Sequence, residues 1–86
     1  MYALRAIFYI IARIAYNYNM NCYEFLKANL KLLREQNNET QRQVADNTKI
    51  PRANLARYET GENVPPLDVL IILADYYGTT VDDLLH

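Results

Sequence analysis

Apolar residues recur along most of this chain at three- and four-residue steps, the spacing that places side chains on one side of an α-helix. No segment alternates apolar and polar residues for more than a few positions, as a half-buried β-strand would. The pattern predicts an all-α protein. It predicts five helices in residues 23–86, which we take as one domain. An amphipathic helix is predicted before them, in residues 1–22.

Residues 40–61 predict two short helices joined by a tight turn, the first over about residues 41–47 and the second over about 51–59. Thr40 and Gln43 have the spacing of a capping box at the start of the first helix. Lys49 falls in the turn, where a positive φ angle is expected. Pro51 suits the first position of the second helix, because its missing N–H would be unpaired there. The predicted inward residues are Val44, Ala45, Ile50, Leu55 and Tyr58.

The outward side of the second short helix is small, basic and amide-bearing. It carries Arg52, Ala53, Asn54, Ala56 and Arg57. Such a surface suits the groove of a nucleic acid. The alternative for Arg52 and Arg57 is a solvated helical face, and the Asn54 amide could bond a phosphate, a base or nothing.

The flanking segments predict three further helices. The helix over residues 23–36 has an inward stripe of Leu26, Leu30 and Leu33. The helix over residues 67–77 is strongly apolar, and its predicted inward residues are Leu67, Leu70, Ile71, Ala74 and Tyr77. Thr80 and Asp83 form a second capping pattern before a last helical turn.

The N-terminal segment has a wide apolar face. Its uninterrupted apolar run, residues 6–12, is bracketed by Arg5 and Arg13 and falls far short of the roughly 20 residues of a membrane span. The face could pack on its own domain, on the same helix of a second subunit or, less well, on a membrane surface. The second option makes Leu4, Ile7, Ile11 and Ile14 the dimerisation residues. Met20 is a plausible alternative start.

Charge is segregated along the chain, although the net charge is only −1. Residues 41–57 hold four cations against Asp46, whereas residues 59–86 hold six acids and no Lys or Arg. A basic face backed by an acidic end is compatible with docking one side of the domain on phosphates.

The residue inventory argues against catalysis. We find no nucleophile–base pair, no metal-ligand cluster and no glycine-rich phosphate loop, and the chain has only two glycines. We therefore expect no enzyme activity, no metal and no cofactor. The single cysteine, Cys22, cannot form an internal disulfide, which fits a cytoplasmic protein.

Residues 40–61 resemble the helix-turn-helix family of phage repressor and Cro proteins. The resemblance is carried by Thr40-Gln41, Val44-Ala45, Ile50, Leu55, Arg57-Tyr58-Glu59 and Gly61, without a gap. It extends over about residues 24–85, through Leu30, Leu33, Arg34, Leu70, Leu73, Ala74, Gly78, Leu84 and Leu85.

The resemblance implies roles for individual residues. Gln41 would contact a DNA phosphate. Arg52, Ala53 and Asn54 would face base edges, with Arg57 one turn later. Arg34 and Glu59 match an ion pair that holds the first helix to the end of the reading helix. In the loop after Gly61, Glu62 and Asn63 stand where many relatives carry Lys or Arg for phosphate, which weakens the predicted hold on the DNA backbone. Asn63 is retained as a candidate DNA contact.

These patterns predict sequence-specific double-stranded DNA binding by a transcriptional repressor or regulator that acts as a homodimer. The alternative is a protein-interaction module, antitoxin-like or an accessory partner, that binds another protein through residues 1–22. Removing that segment would abolish partner capture in the alternative while leaving the domain folded.

Overall fold

The computed structural model describes residues 21–86 together with Ile7 and Ile10. Residues 21–86 are all-α, as predicted, and contain no strand. Each helix bound lies within one residue of its predicted position. The helices are α1 (Cys22–Gln36), α2 (Gln41–Thr48), α3 (Arg52–Thr60), α4 (Leu67–Tyr76) and α5 (Val81–Leu84).

The predicted N-terminal helix lies almost wholly outside the described residues. Of the four predicted dimerisation residues, Leu4, Ile11 and Ile14 are not described. Ile7 is helical and 52% exposed, and Ile10 is helical and 57% exposed. Two large apolar side chains of this segment are therefore open to solvent in a single chain.

Local polar bonds set the helix ends. The Asn21 side chain accepts bonds from the N–H groups of Tyr23 and Glu24 and so starts α1. The predicted capping box is confirmed, since the Thr40 hydroxyl accepts from the Gln43 N–H and the Gln43 side chain accepts from the Thr40 N–H. These bonds satisfy N–H groups that a helix start leaves unpaired.

The hydrophobic core draws on all five helices. α1 packs against α3 and α5, α2 packs against α3 and α4, and α4 packs against α5. A buried hydrogen bond from the Asn29 amide to the Leu84 carbonyl oxygen, 2.9 Å long, ties α5 to α1. The buried core residues are Leu26, Leu30, Val44, Ile50, Leu55, Tyr58, Leu70, Leu73, Ala74 and Leu84.

The predicted inward stripe of α4 is wrong at two positions. Leu67 is 65% exposed and Ile71 is 47% exposed, whereas Leu73 is only 1% exposed and lies at the centre of the core. The segment is apolar on nearly every side, so its helical period alone did not identify the arc that faces α2 and α5. The buried face of α4 instead runs through Leu70, Leu73 and Ala74.

Candidate nucleic-acid interface

α2 and α3 are joined by a turn of three residues, Lys49 to Pro51. Lys49 adopts the predicted left-handed conformation, with φ 65° and ψ 16°, and its N–H donates to the Ala45 carbonyl oxygen at 2.8 Å. Ile50 is buried and fixes the turn to the core. Pro51 (φ −56°, ψ 135°) precedes α3 rather than occupying its first turn, one residue earlier than predicted. Together these features form a helix-turn-helix.

The last residue of α2 is Thr48, a polar side chain beside the buried Ile50. Thr48 is half-buried, and its hydroxyl donates to the Val44 carbonyl oxygen at 2.7 Å and accepts from the Ile50 N–H at 3.3 Å. Because the hydroxyl both donates and accepts a hydrogen bond, its partial burial is not costly.

The outward face of α3 presents most of the residues predicted to meet DNA. Arg52, Ala53 and Arg57 are exposed, and Asn54 is half-buried. Leu55 and Tyr58, on the opposite side of the helix, are buried in the core. α3 is therefore anchored along one side and offers two guanidinium groups and a methyl group on the other.

A charge-assisted pair fixes the end of α3 to α1. Arg34 Nε donates to Glu59 Oε2 at 2.8 Å, and Arg34 Nη2 donates to Glu59 Oε1 at 2.9 Å. Arg34 Nη1 also donates to the Glu39 carbonyl oxygen at 2.8 Å. The side chains of Arg34 and Glu59 are 15% and 8% exposed. The hydrogen-bonded Glu59 carboxylate raises the pKa of Arg34 above its usual value.

Gln41, the predicted phosphate contact, is half-buried at the start of α2. Its side-chain Nε2 donates to Glu59 Oε1 at 3.3 Å. Gln41 therefore belongs to the same polar cluster as the Arg34–Glu59 pair, and that bond orients its side chain beside the N-terminal end of α2.

The loop after α3 carries an exposed ion pair that the sequence interpretation missed. Arg57 Nε lies 3.5 Å from Glu62 Oε2, and their side chains are 51% and 71% exposed. Gly61 has φ 84°, and a Cβ atom there would lie 2.9 Å from Lys27 Cδ, so glycine suits this corner. Asn63 is exposed, and its backbone N–H donates to the Arg57 carbonyl oxygen at 3.3 Å.

A second polar network supports α2 from the side of α4. The Tyr76 hydroxyl donates to the Glu39 carboxylate, and Asn47 Nδ2 donates to Tyr76 Oη at 3.0 Å. The bond to Glu39 raises the pKa of Tyr76. Because Glu39 and Tyr76 lie 37 residues apart, no local pattern could have linked them. The network explains why an acidic residue is accommodated just before α2.

The described residues offer no arrangement suited to metal binding: no group of three or more His, Cys, Asp or Glu side chains could hold an ion there. Cys22 is exposed and free. Within the same part of the chain, every helix is too short or too polar to cross a bilayer.

Comparison with known proteins identifies the family. The model of a family described as a helix-turn-helix domain matches residues 26–86. This match covers more than half of the chain, so the chain belongs to the helix-turn-helix domain family. The structure gives the same class independently through the geometry of α2, the turn and α3.

One curated relative comes from Bacillus subtilis (strain 168). It bears the name "uncharacterized HTH-type transcriptional regulator YobD" and is 38% identical over 56 residues, which make up 65% of this chain and 50% of the relative. The chain therefore matches the relative over about half of that protein's length. No solved structure matches the chain at a significant level.

Proposed function

We propose that this protein binds double-stranded DNA at specific sequences and acts as a transcriptional regulator, in the manner of a repressor. The observation that carries the proposal is the exposed row Arg52, Ala53 and Arg57 on a helix whose other side is fixed in the core. Membership of the helix-turn-helix family and the resemblance to a protein named as a transcriptional regulator support it.

The dimensions of α3 suit the major groove. Nine residues make a helix about 13.5 Å long, and the groove is about 12 Å wide and admits one helix. With the N-terminal end of α3 leading, Arg52 and Ala53 would meet base edges first. Arg52 would then donate two hydrogen bonds to a guanine, and Ala53 would contact a thymine methyl group. Asn54 is half-buried beside them, and its shorter side chain would offer an amide to a base edge or a phosphate.

Contacts to the DNA backbone would hold this register. Gln41 lies at the N-terminal end of α2, where unpaired N–H groups and the helix dipole favour a phosphate. Its bond to Glu59 would fix its position relative to α3. Arg57 would divide its interactions between DNA and Glu62, because Arg57 and Glu62 are paired in the free protein.

A single α3 reads only a few base pairs, so we propose a homodimer that reads two half-sites about 34 Å apart. The candidate contact is the apolar stripe of the N-terminal segment, with Leu4, Ile7, Ile11 and Ile14 as its residues. The exposure of Ile7 in a single chain supports this choice, because an exposed isoleucine gains from burial against a partner.

Sedimentation of the full chain and of a chain that starts at Met20 tests the dimer. We expect a dimer for the full chain and a monomer for the shorter one. If both chains sediment as monomers without DNA, the N-terminal segment does not bring two copies together.

A protein-interaction module is the second candidate function. It is favoured by the large exposed apolar residues outside α3, which include Ile7, Ile10, Leu67 and Ile71. Under this function, deletion of residues 1–19 would abolish capture of a protein partner while circular dichroism still showed a folded domain. Specific DNA binding by the full chain would instead favour the first function.

Selection of bound sequences from random double-stranded DNA tests the main proposal. The full chain should enrich a motif with two related half-sites. The Arg52→Ala plus Arg57→Ala double variant should bind the selected site at least 100-fold more weakly, since each good base contact contributes roughly 1–3 kcal/mol. If the double variant keeps the affinity and the motif, α3 does not read the site.

A further inference from the structure

A basic cleft lies next to the predicted reading residues. It is open to solvent, has a volume of about 310 Å³, and is lined by Arg42, Asp46, Lys49 and Arg52 over a floor that includes Ile50. Three cations against one acid leave a net positive charge around it. The cleft sits between the outer face of α2 and the first residue of α3.

The arrangement along α2 follows from helical spacing. Arg42, Ala45, Asp46 and Lys49 stand at positions i, i+3, i+4 and i+7, which form one face of a helix and its terminal turn. Arg42 and Lys49 are therefore about 10 Å apart along the helix axis. Arg52 follows Lys49 by three residues and adds a third cation from the start of α3.

The three cations of this cleft are not neutralised within the described part of the chain. Lys27, Arg34 and Arg57 each lie within 4 Å of a carboxylate there. Arg42, Lys49 and Arg52 are exposed, and no such ion pair involves them in residues 21–86. Their charge is thus available to an external anion, whereas the charges of Arg34 and Arg57 are already paired with carboxylates.

We propose that Arg42 and Lys49 of this cleft bind backbone phosphates of the DNA strand that borders the major groove entered by α3, beside the base contact proposed for Arg52. In a helix-turn-helix complex the first helix of the motif crosses the backbone while the second enters the groove. The cleft lies on that first helix. Successive phosphates of one strand rise by about 3.4 Å, so a row of cations about 10 Å long reaches more than one of them.

This site places the main contacts to the DNA phosphates on α2 and the turn, and not in the loop after α3. The loop after α3 contributes Glu62, an acid whose side chain is 71% exposed and paired with Arg57, and that loop is therefore a poor phosphate contact. The cleft supplies the missing positive charge from the other side of the reading residues. It also gives a role to Lys49, a side chain held at φ 65° where glycine would be less strained.

The inference rests on the proposed DNA binding, and salt dependence tests it. Arg42→Gln and Lys49→Gly are combined in one full-length variant and compared with Lys31→Ala, which removes an exposed cation from α1. At about 100 mM salt the double variant should bind the selected site roughly 10- to 50-fold more weakly. Its slope of log affinity against log salt concentration should fall in magnitude by about 1 per lost contact. Lys31→Ala should leave both unchanged.

Lys49→Gly alone separates binding from folding. Because glycine adopts φ 65° without a Cβ clash, its thermal midpoint should rise while its DNA affinity falls. Asp46→Asn should strengthen binding, since it removes the one acid of the cleft. The selected motif should be the same for every variant, because phosphates carry no sequence information.

The proposal is overturned if Arg42→Gln plus Lys49→Gly keeps the parent's affinity and salt slope, or if it changes the selected motif. If Arg42→Gln plus Lys49→Gly behaves like the parent while Arg52→Ala plus Arg57→Ala loses binding, the phosphate-binding proposal fails and the proposed function stands. If the full chain selects no DNA sequence at all, the proposed function fails and the cleft proposal fails with it.

Discussion

Arg34 of α1 grips Glu59 of α3 through two parallel hydrogen bonds of 2.8 and 2.9 Å. A third bond from the same guanidinium holds the Glu39 carbonyl oxygen just before α2. One side chain thereby positions the end of the reading helix and the entry to the helix before it. The angle between α2 and α3, on which groove docking depends, is thus supported from outside the turn.

Removing Arg34 should destabilise the domain. Arg34→Ala leaves Glu59 largely buried without its partner, which we expect to cost about 2–4 kcal/mol in the free energy of unfolding. Glu24→Gln is the matched control, because it breaks an exposed pair with Lys27 at 3.2 Å and should cost less than about 1 kcal/mol. Urea unfolding monitored by circular dichroism measures both. Equal losses in the two variants would show that the buried pair contributes no more than a surface pair.

Alkaline pH should weaken the fold through Tyr77. Burial raises the pKa of this hydroxyl, helped by the nearby carboxylates of Glu59 and Glu39. A tyrosine whose pKa is higher in the folded state favours folding below its unfolded pKa of about 10. That contribution is lost as the pH rises through the higher folded value. The urea midpoint should therefore fall between about pH 9.5 and 11.5.

Tyr77→Phe isolates this effect, because it removes the titrating hydroxyl and keeps the ring. The variant should lose less stability over the same pH interval than the parent, and Tyr23→Phe, at an exposed position, should lose as much as the parent. An unchanged pH profile in Tyr77→Phe would assign the alkaline loss to other groups.

Glu62 should restrain DNA binding. Its carboxylate lies 3.5 Å from Arg57 Nε and is highly exposed, so the pair contributes little to folding. The same carboxylate repels DNA phosphates and pairs with Arg57, a residue proposed to read bases. Glu62→Gln should strengthen binding to the selected site by about 2- to 5-fold with little change in stability. Fluorescence anisotropy with labelled DNA measures the change. Asp82→Asn, at an exposed acid of α5, is the control, and an equal gain there would indicate a general charge effect.

The helix ends were predictable because their signals are local. Thr40 with Gln43, Gly61, and Thr80 with Asp83 each act within three or four residues through a bond or a backbone angle. The positive φ of Lys49 followed from its place in a three-residue turn. The same locality accounts for the outward exposure of Arg52, Ala53 and Arg57.

The features that the sequence left open depend on how the helices meet and end in space, which helical spacing does not describe. The bonds among Glu39, Asn47 and Tyr76 join two helices that are far apart in the chain. The Arg57–Glu62 pair spans the end of α3, which stops at Thr60 with Gly61 as its cap, so helical spacing does not describe it. The cleft between α2 and α3 requires the angle between the helices, and periodicity carries no information about that angle.

The sequence pattern also did not predict which face of α4 is buried. The observed face leads to a prediction about stability. Leu73→Ala should cost about 2–5 kcal/mol, because the side chain is fully buried and its removal leaves a cavity. Ile71→Ala should cost less than about 1 kcal/mol in the isolated monomer, since the side chain is 47% exposed. Denaturant unfolding of both variants measures these costs. A larger loss of unfolding free energy in Ile71→Ala than in Leu73→Ala would show that the face predicted from periodicity is the buried one.

The central claim is that α3 reads a DNA sequence from an outward face that contains Arg52 and Arg57. Its most direct measurement is the affinity of the full chain for its selected site divided by its affinity for a scrambled duplex at the same salt concentration. We predict a ratio of roughly 10³ or more, falling towards 1 in Arg52→Ala plus Arg57→Ala. A ratio near 1 in the parent, or a high ratio that the double variant retains, would contradict the account.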